Sequence, residues 1–174
     1  INDGAGPSGG GSVTLDLDDQ NLFDGSTPLG PDSDSDTLSF TAGSDALTSF
    51  AFAAGTGTLA AGLTWNRVSG TLIEGWDGAI NTGTKIVSLT LNAPASIAAT
   101  TSGTVTVTAT LHNNYDSHGA PVLPLLSEDN LQALGAVTVT ASDHDGESAN
   151  GTVNVQVSDD VPTMAVDGPL AVVE

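Results

Sequence analysis

The sequence predicts an all-β domain, an antiparallel β-sandwich of about nine strands with long loops and at most a short helix. Three observations support this prediction. Apolar residues alternate with polar ones in short runs, and threonine fills many of the polar positions. Clusters of Gly, Asn, Asp and Ser separate the runs at the spacing of an antiparallel sandwich. The 174 residues are enough to bury a core without disulfides.

The alternating runs place the strands along the chain. Their apolar positions are, in order, Val13, Leu15 and Leu17; Leu38 and Phe40; Phe50 and Phe52; Val87, Leu89 and Leu91; Val105, Val107 and Ala109; Val137, Val139 and Ala141; and Val153, Val155 and Val157. This set favours an immunoglobulin-like or cadherin-like sandwich. Ser127 to Leu134 is the one candidate helix, because Ser127 could cap its first turn. We interpret the stretch Gly9 to Gly11 as a short flexible joint.

The two ends of the chain resemble one another. An acidic residue or pair followed by Pro7 near the start is echoed by Asp159, Asp160 and Pro162 near the end. We therefore expect residues 1–11 to be a junction from a preceding module and 12–162 to be a single sandwich module. Residues 163–174 would be the first strand of the next module or a C-terminal extension. Chance similarity of two short acidic turns is the alternative.

Charge excludes several classes of function. The chain has 21 acidic residues against two basic ones, Arg67 and Lys85, and a formal net charge of −19. Binding to nucleic acid or to an anionic membrane needs a positive surface, so we expect neither. No apolar stretch approaches the ~20 residues that span a bilayer, so we expect no membrane insertion. The chain lacks cysteine, which removes disulfides and thiol catalysis.

Aspartates occur in groups, which suggests bound cations. Crowded carboxylates repel one another, and Ca²⁺ is the cation that oxygen-rich loops favour. The sharpest pattern is Asp143-His144-Asp145-Gly146-Glu147 between two strands, and a plain polar hairpin loop is its alternative. We predict Ca²⁺ as the cofactor. The predicted metal ligands are Asp18, Asp19, Asp116, Asp143, Asp145, Glu147 and Asp159.

The connection from Leu111 to Pro124 is the candidate recognition loop, because it gathers amide, phenol, carboxylate and imidazole groups. An ordinary surface loop is the alternative. The predicted ligand-binding residues are Asn113, Asn114, Tyr115, Asp116 and His118. Trp65 and Trp76 are either core residues, the interpretation we favour, or a platform for stacking a sugar or peptide.

We predict no enzyme activity and no catalytic residue. The sequence Gly6-Pro7-Ser8-Gly9-Gly10 matches a nucleophile-elbow pattern, but that elbow lies between a strand and a helix. Here the neighbours are glycine-rich. The three histidines lack the compact spacing and cysteine partners of a zinc site.

The run from Ala136 to Thr163 resembles the closing hairpin of repeat domains in large bacterial RTX adhesins, which are exported by type I secretion. The shared features are the Asp-x-Asp-Gly-Glu hairpin, the alternating valines 153, 155 and 157, and Asp159-Asp160-Val161-Pro162-Thr163. The glycine-rich nonapeptide repeats of RTX β-rolls are absent from this sequence. The resemblance implies an internal, calcium-dependent β-sandwich module at the bacterial cell surface.

Two functional hypotheses follow from this resemblance. In the first, the module is an adhesion domain that binds a peptide or glycan on another cell through a Ca²⁺-supported loop face. In the second, it is a spacer that Ca²⁺ makes rigid and that has no ligand of its own. In either case we expect neighbouring modules of the same adhesin as partners and a monomeric isolated module.

Overall fold

The computed structural model describes residues 4–22, 30–115 and 131–158. The strands are β1 (Ser8–Asp18), β2 (Asp32–Thr41), β3 (Ser49–Phe52), β4 (Thr64–Ser69), β5 (Leu72–Asp77), β6 (Thr84–Asn92), β7 (Ser102–Leu111), β8 (Leu131–Ser142) and β9 (Ser148–Ser158). A single 3-10 turn, Asp19–Asn21, follows β1. The predicted all-β sandwich of about nine strands is confirmed. Within these segments no helix is long and apolar enough to span a membrane.

Strand β1 takes part in both layers of the sandwich. Hydrogen bonding connects the strands in the order β3-β8-β9-β1-β2-β7-β6-β5-β4. Residues 8–10 of β1 pair antiparallel with β2, whereas residues 11–18 pair parallel with β9. Side chains from both layers, among them Phe40, Phe52 and Leu89, are buried in one common core. The antiparallel prediction therefore holds for every described pair except β1 with β9.

The glycine run 9–11 is the point at which β1 changes layer. All three residues have positive φ, at 98°, 90° and 67°. A Cβ on Gly10 would lie 2.2 Å from the carbonyl oxygen of Asn150 on β9. Only glycine combines this backbone conformation with such a close approach. The interpretation of the run as a flexible joint is wrong, because these residues belong to a paired strand.

The candidate helix from Ser127 to Leu134 is wrong for its described part. Residues 131–134 begin β8, and they pair with the end of β9. Leu134 is buried, so an apolar residue there packs as a strand residue in the core. Residues 127–130 lie outside the described part of the chain.

Arg67 links the edge strands β4 and β3 of the sandwich. Its guanidinium donates from Nε and Nη2 to the Phe52 carbonyl oxygen, at 3.2 and 2.8 Å. The Phe52 amide in turn donates to the Gly70 carbonyl at 2.7 Å. β3 and β4 are the edge strands of the two layers. These hydrogen bonds therefore satisfy backbone amide and carbonyl groups that would otherwise be unpaired at a sheet edge.

Candidate functional site

A cleft of about 300 Å³ opens at the end of the sandwich where β4 begins and β5 ends. It is lined by Ala61, Gly62, Leu63, Asp77, Ile86, Asn114 and Tyr115. Asn114 and Tyr115 are two of the predicted ligand-binding residues. A third, Asn113, lies beside the cleft residues in sequence and donates its side-chain amide to the Lys85 carbonyl at 2.7 Å. The structure therefore brings part of the predicted recognition loop to a concave site.

One wall of the cleft is a turn in a strained conformation. Ala61 has φ 57°, in the left-handed region that costs a non-glycine residue about 1–2 kcal/mol, and Gly62 follows with φ 76°. Two aromatic side chains hold the turn. The Tyr115 hydroxyl donates to the Ala61 carbonyl at 2.6 Å, and Trp65 Nε1 donates to the Ala60 carbonyl at 2.9 Å. The wall is thus fixed by contacts from two other segments of the chain.

The opposite wall is held by the residues that follow β7. The His112 amide donates to the Ile86 carbonyl at 2.7 Å, and His112 Nε2 lies 2.9 Å from the Ser88 hydroxyl. Burial lowers the pKa of His112 below its usual 6.5, the Lys85 charge lowers it further, and Glu74 opposes both effects. Lys85 Nζ forms an ion pair with Glu74 Oε1 at 3.3 Å. His112 therefore acts here as a neutral structural group.

Aspartate carboxylates on β2 accept hydrogen bonds from backbone amides of β1. The amide of Asp16 donates to Asp34 Oδ2 at 2.9 Å, and that of Asp18 donates to Asp32 Oδ2 at 2.8 Å. By this point β1 has left β2 for β9, so these carboxylates replace main-chain acceptors. The Asp18 carboxylate also caps the 3-10 turn, accepting from the Gln20 amide at 3.1 Å. Asp32 and Asp34 thus have a structural role.

The predicted calcium hairpin is organised by one of its own carboxylates. Asp143 Oδ1 accepts from the amides of Asp145, Gly146 and Glu147, at 3.0, 2.9 and 2.9 Å. Gly146 has φ 92°, which the sharp turn requires. Asp145 is exposed, and the Glu147 carboxylate lies against Gly6. The loop geometry matches the polar-hairpin alternative, and calcium binding by these residues remains a prediction.

The described residues do not form a complete metal cage by themselves. Across residues 4–22, 30–115 and 131–158, no three His, Asp or Glu side chains are grouped so that they could hold an ion. Asp19, another predicted ligand, is buried at 4% exposure. The predicted residues Asp116, His118 and Asp159 lie outside the described part.

Asp77 is the charged residue of the cleft, and no sequence motif predicts it. It ends β5 and precedes a glycine, so it resembles the many other turn aspartates of this chain. Trp65 packs against the core, as favoured. Trp76 is half-buried, and its Nε1 has no hydrogen-bond partner in the described part of the chain.

Comparison with protein-family models and with curated proteins finds no match to this chain. The adhesin resemblance therefore rests on the sequence motifs alone.

Proposed function

We propose that the chain is a calcium-dependent adhesion module of a bacterial RTX-type surface adhesin, acting outside the cell. In this proposal it binds a peptide or glycan on another cell. The observation that supports it is the cleft lined by Asn114 and Tyr115, whose amide and phenol groups predict a recognition role from the sequence. A concave site with a few placed polar groups is the usual form of a binding site.

The fixed walls of the cleft support a binding role. Turns held in a strained conformation cluster at functional sites, and Ala61 is such a residue. Because Tyr115 and Trp65 already hold the turn, a ligand would not have to order it. A preformed wall of this kind favours recognition over a purely structural role.

The charge distribution supports a role for Ca²⁺. In the described segments the one ion pair is Lys85 with Glu74, and Arg67 is directed to a main-chain carbonyl. The 21 acidic residues are therefore almost uncompensated by the two basic ones, which leaves a net charge of −19. The described carboxylates do not complete a calcium site, so the proposal requires further oxygens, for which Asp116 and Asp159 are the predicted sources. Ca²⁺ at ~1,000 times its dissociation constant would stabilise the fold by roughly 4 kcal/mol.

The second candidate function is a spacer without a ligand. The hairpin favours it, because Asp143 uses one oxygen to build its own loop and does not present it to a partner. A spacer would gain rigidity from Ca²⁺ but would have no use for the cleft.

A chelator distinguishes the two functions, because it should abolish ligand binding by an adhesion module, whereas a spacer has no binding to lose. Binding of the purified chain to peptide arrays, glycan arrays and whole cells would be measured in millimolar Ca²⁺, in EDTA, and in EDTA with excess Mg²⁺. An adhesion module should bind in Ca²⁺ and lose binding in EDTA and in Mg²⁺. Thermal unfolding in the same buffers reports whether Ca²⁺ stabilises the fold.

Asn114→Ala provides the matched test of the cleft. It should weaken binding, and its unfolding midpoint is measured alongside so that a loss of binding can be separated from a loss of stability. Binding that persists unchanged in EDTA would refute the calcium-dependent mechanism. A midpoint that falls in EDTA, with no binding in any buffer, would establish the spacer function instead.

A further inference from the structure

His112 connects the two segments of the chain that form one wall of the cleft. This wall consists of Ile86 on β6 and of Asn114 and Tyr115, which follow β7. The His112 amide donates to the Ile86 carbonyl at 2.7 Å, and its ring Nε2 lies 2.9 Å from the Ser88 hydroxyl. Because Asn114 is only two residues further along, the placement of His112 determines where the wall residues meet β6.

The strand to which residues 112–115 are attached is irregular at this point. Ile86 is left out of the pairing of β6 with β5, where the register shifts. β-bulges of this kind often occur next to functional sites and redirect a side chain. The Asn113 side-chain amide donates to the Lys85 carbonyl at 2.7 Å, beside the two contacts that His112 makes. A change at His112 would therefore act on the cleft wall through a short and local route.

The surroundings of the His112 ring disfavour its charged form. Lys85 on β6 is positive, and the Glu74 carboxylate on β5 is already paired with it at 3.3 Å. Asp32 on β2 and Asp77 at the end of β5 are the other described charged residues at this end of the strands next to β7 and β6. Burial of the ring and the Lys85 charge lower the pKa of His112, and Glu74 opposes both effects. The observed arrangement thus favours a neutral imidazole.

We infer that His112 is a pH-sensitive switch of the cleft, whose protonation releases residues 112–115 from β6 and weakens ligand binding. This regulatory role rests on the proposed adhesion function and adds release in acid to that same site. Because the attached arrangement holds the neutral ring, the proton and the ligand favour opposite states, and binding should weaken as pH falls. By reciprocity, a bound ligand should make His112 harder to protonate.

The test is an amide-resolved NMR titration of the full chain from about pH 8 to pH 5, with the proton as the probe. The amides of residues 61–63 and 113–115 should shift with the same midpoint as the His112 ring, below pH 6.5. His112→Gln should remove this inflection, whereas His144→Gln, at an exposed residue of the β8–β9 hairpin, should leave it in place. Lys85→Gln should raise the midpoints of the ring and of the amides together, because it removes a positive charge near the ring.

Binding to whole cells in millimolar Ca²⁺ separates the switch from the proposed function. The parent chain should lose about threefold or more of its affinity between pH 7.5 and pH 5.5, and His112→Gln should change by less than about 1.5-fold. Cleft amides that do not follow the His112 ring, or an equal pH dependence in both chains, would overturn the switch and leave the proposed function standing. Because the parent and Lys85→Gln both keep His112, their midpoints decide the matter even if His112→Gln folds poorly. A coupled titration in a chain that binds no cell at any pH would refute the proposed function and leave the coupling of His112 to the cleft standing.

Discussion

The most informative single substitution is Asp143→Ala in the β8–β9 hairpin. Three backbone amides donate to Asp143 Oδ1, and the side chain is 9% exposed. Each bond is charge-assisted, but the amides lie in an exposed loop where water can replace the carboxylate. At about 0.7–1 kcal/mol per bond, the loss is about 2–3 kcal/mol of unfolding free energy. Asp143→Asn keeps a carbonyl acceptor, so we expect about half of that loss.

The assay is equilibrium urea unfolding in EDTA, which isolates the hydrogen bonds from any metal. With a urea dependence of about 2 kcal/mol per molar, Asp143→Ala should lower the midpoint by about 1–1.5 M. Asp145→Ala, which removes an exposed carboxylate from the same loop, is the control and should change the free energy by less than about 0.5 kcal/mol. A small effect of Asp143→Ala in EDTA, or equal effects of the two substitutions, would refute the assignment of this carboxylate as the organiser of the loop. An additional loss seen only in Ca²⁺ would support Asp143 as a calcium ligand.

Two further predictions concern the strand switch and pH. Gly10→Ala should cost about 3 kcal/mol or more, because its Cβ would meet the Asn150 carbonyl at 2.2 Å, whereas Gly11→Ala has open space and should cost only about 1–2 kcal/mol. Urea unfolding of both variants checks this, and equal losses would contradict it. The pKa of His112 is lowered in the folded state, so the unfolded state takes up the proton more readily and stability should fall as pH drops through 6.5. His112→Gln should lack this part of the fall between about pH 7.5 and pH 5.5, and an identical pH profile for the variant would count against it.

Strands could be predicted where burial alternates along the sequence. The valines of β9 and the Leu38–Phe40 pair of β2 are examples, because a strand with one buried face imposes a period of two. β4 has no buried residue, and the buried positions of β5 are Ile73 and Gly75, so neither strand shows an alternating apolar run in the sequence. Trp65 and Arg67 of β4 are half-buried, and Glu74 of β5 is paired with Lys85. Their polar contacts with other strands weaken the local pattern.

Features set by long-range contacts could not be predicted from local pattern. Glycine-rich composition suggests flexibility, yet Gly10 is held tightly because β9 packs against it. The amide group of Asn114 and the phenol group of Tyr115 could be identified from the sequence as candidate binding groups, because the chemistry of a side chain does not depend on the fold. Asp77 and Ala61 reach the same cleft only through the pairing of β4, β5 and β6.

The aspartates fall into two groups that differ in what an Asn substitution does. Asp32, Asp34 and Asp143 accept hydrogen bonds from main-chain amides, a task that an asparagine carbonyl performs in part. Asp77 and Asp145 are exposed, and they offer solvent a charge that asparagine lacks entirely. Asn substitution of Asp32 or Asp34 should therefore lower stability and leave cation binding largely intact, whereas Asp145→Asn should leave stability largely unchanged and weaken cation binding. At the predicted calcium ligand Asp143, an Asn substitution should lower both. The high aspartate content of this chain thus reflects two separate demands, main-chain satisfaction at a strand switch and a hairpin, and negative charge at the exposed sites.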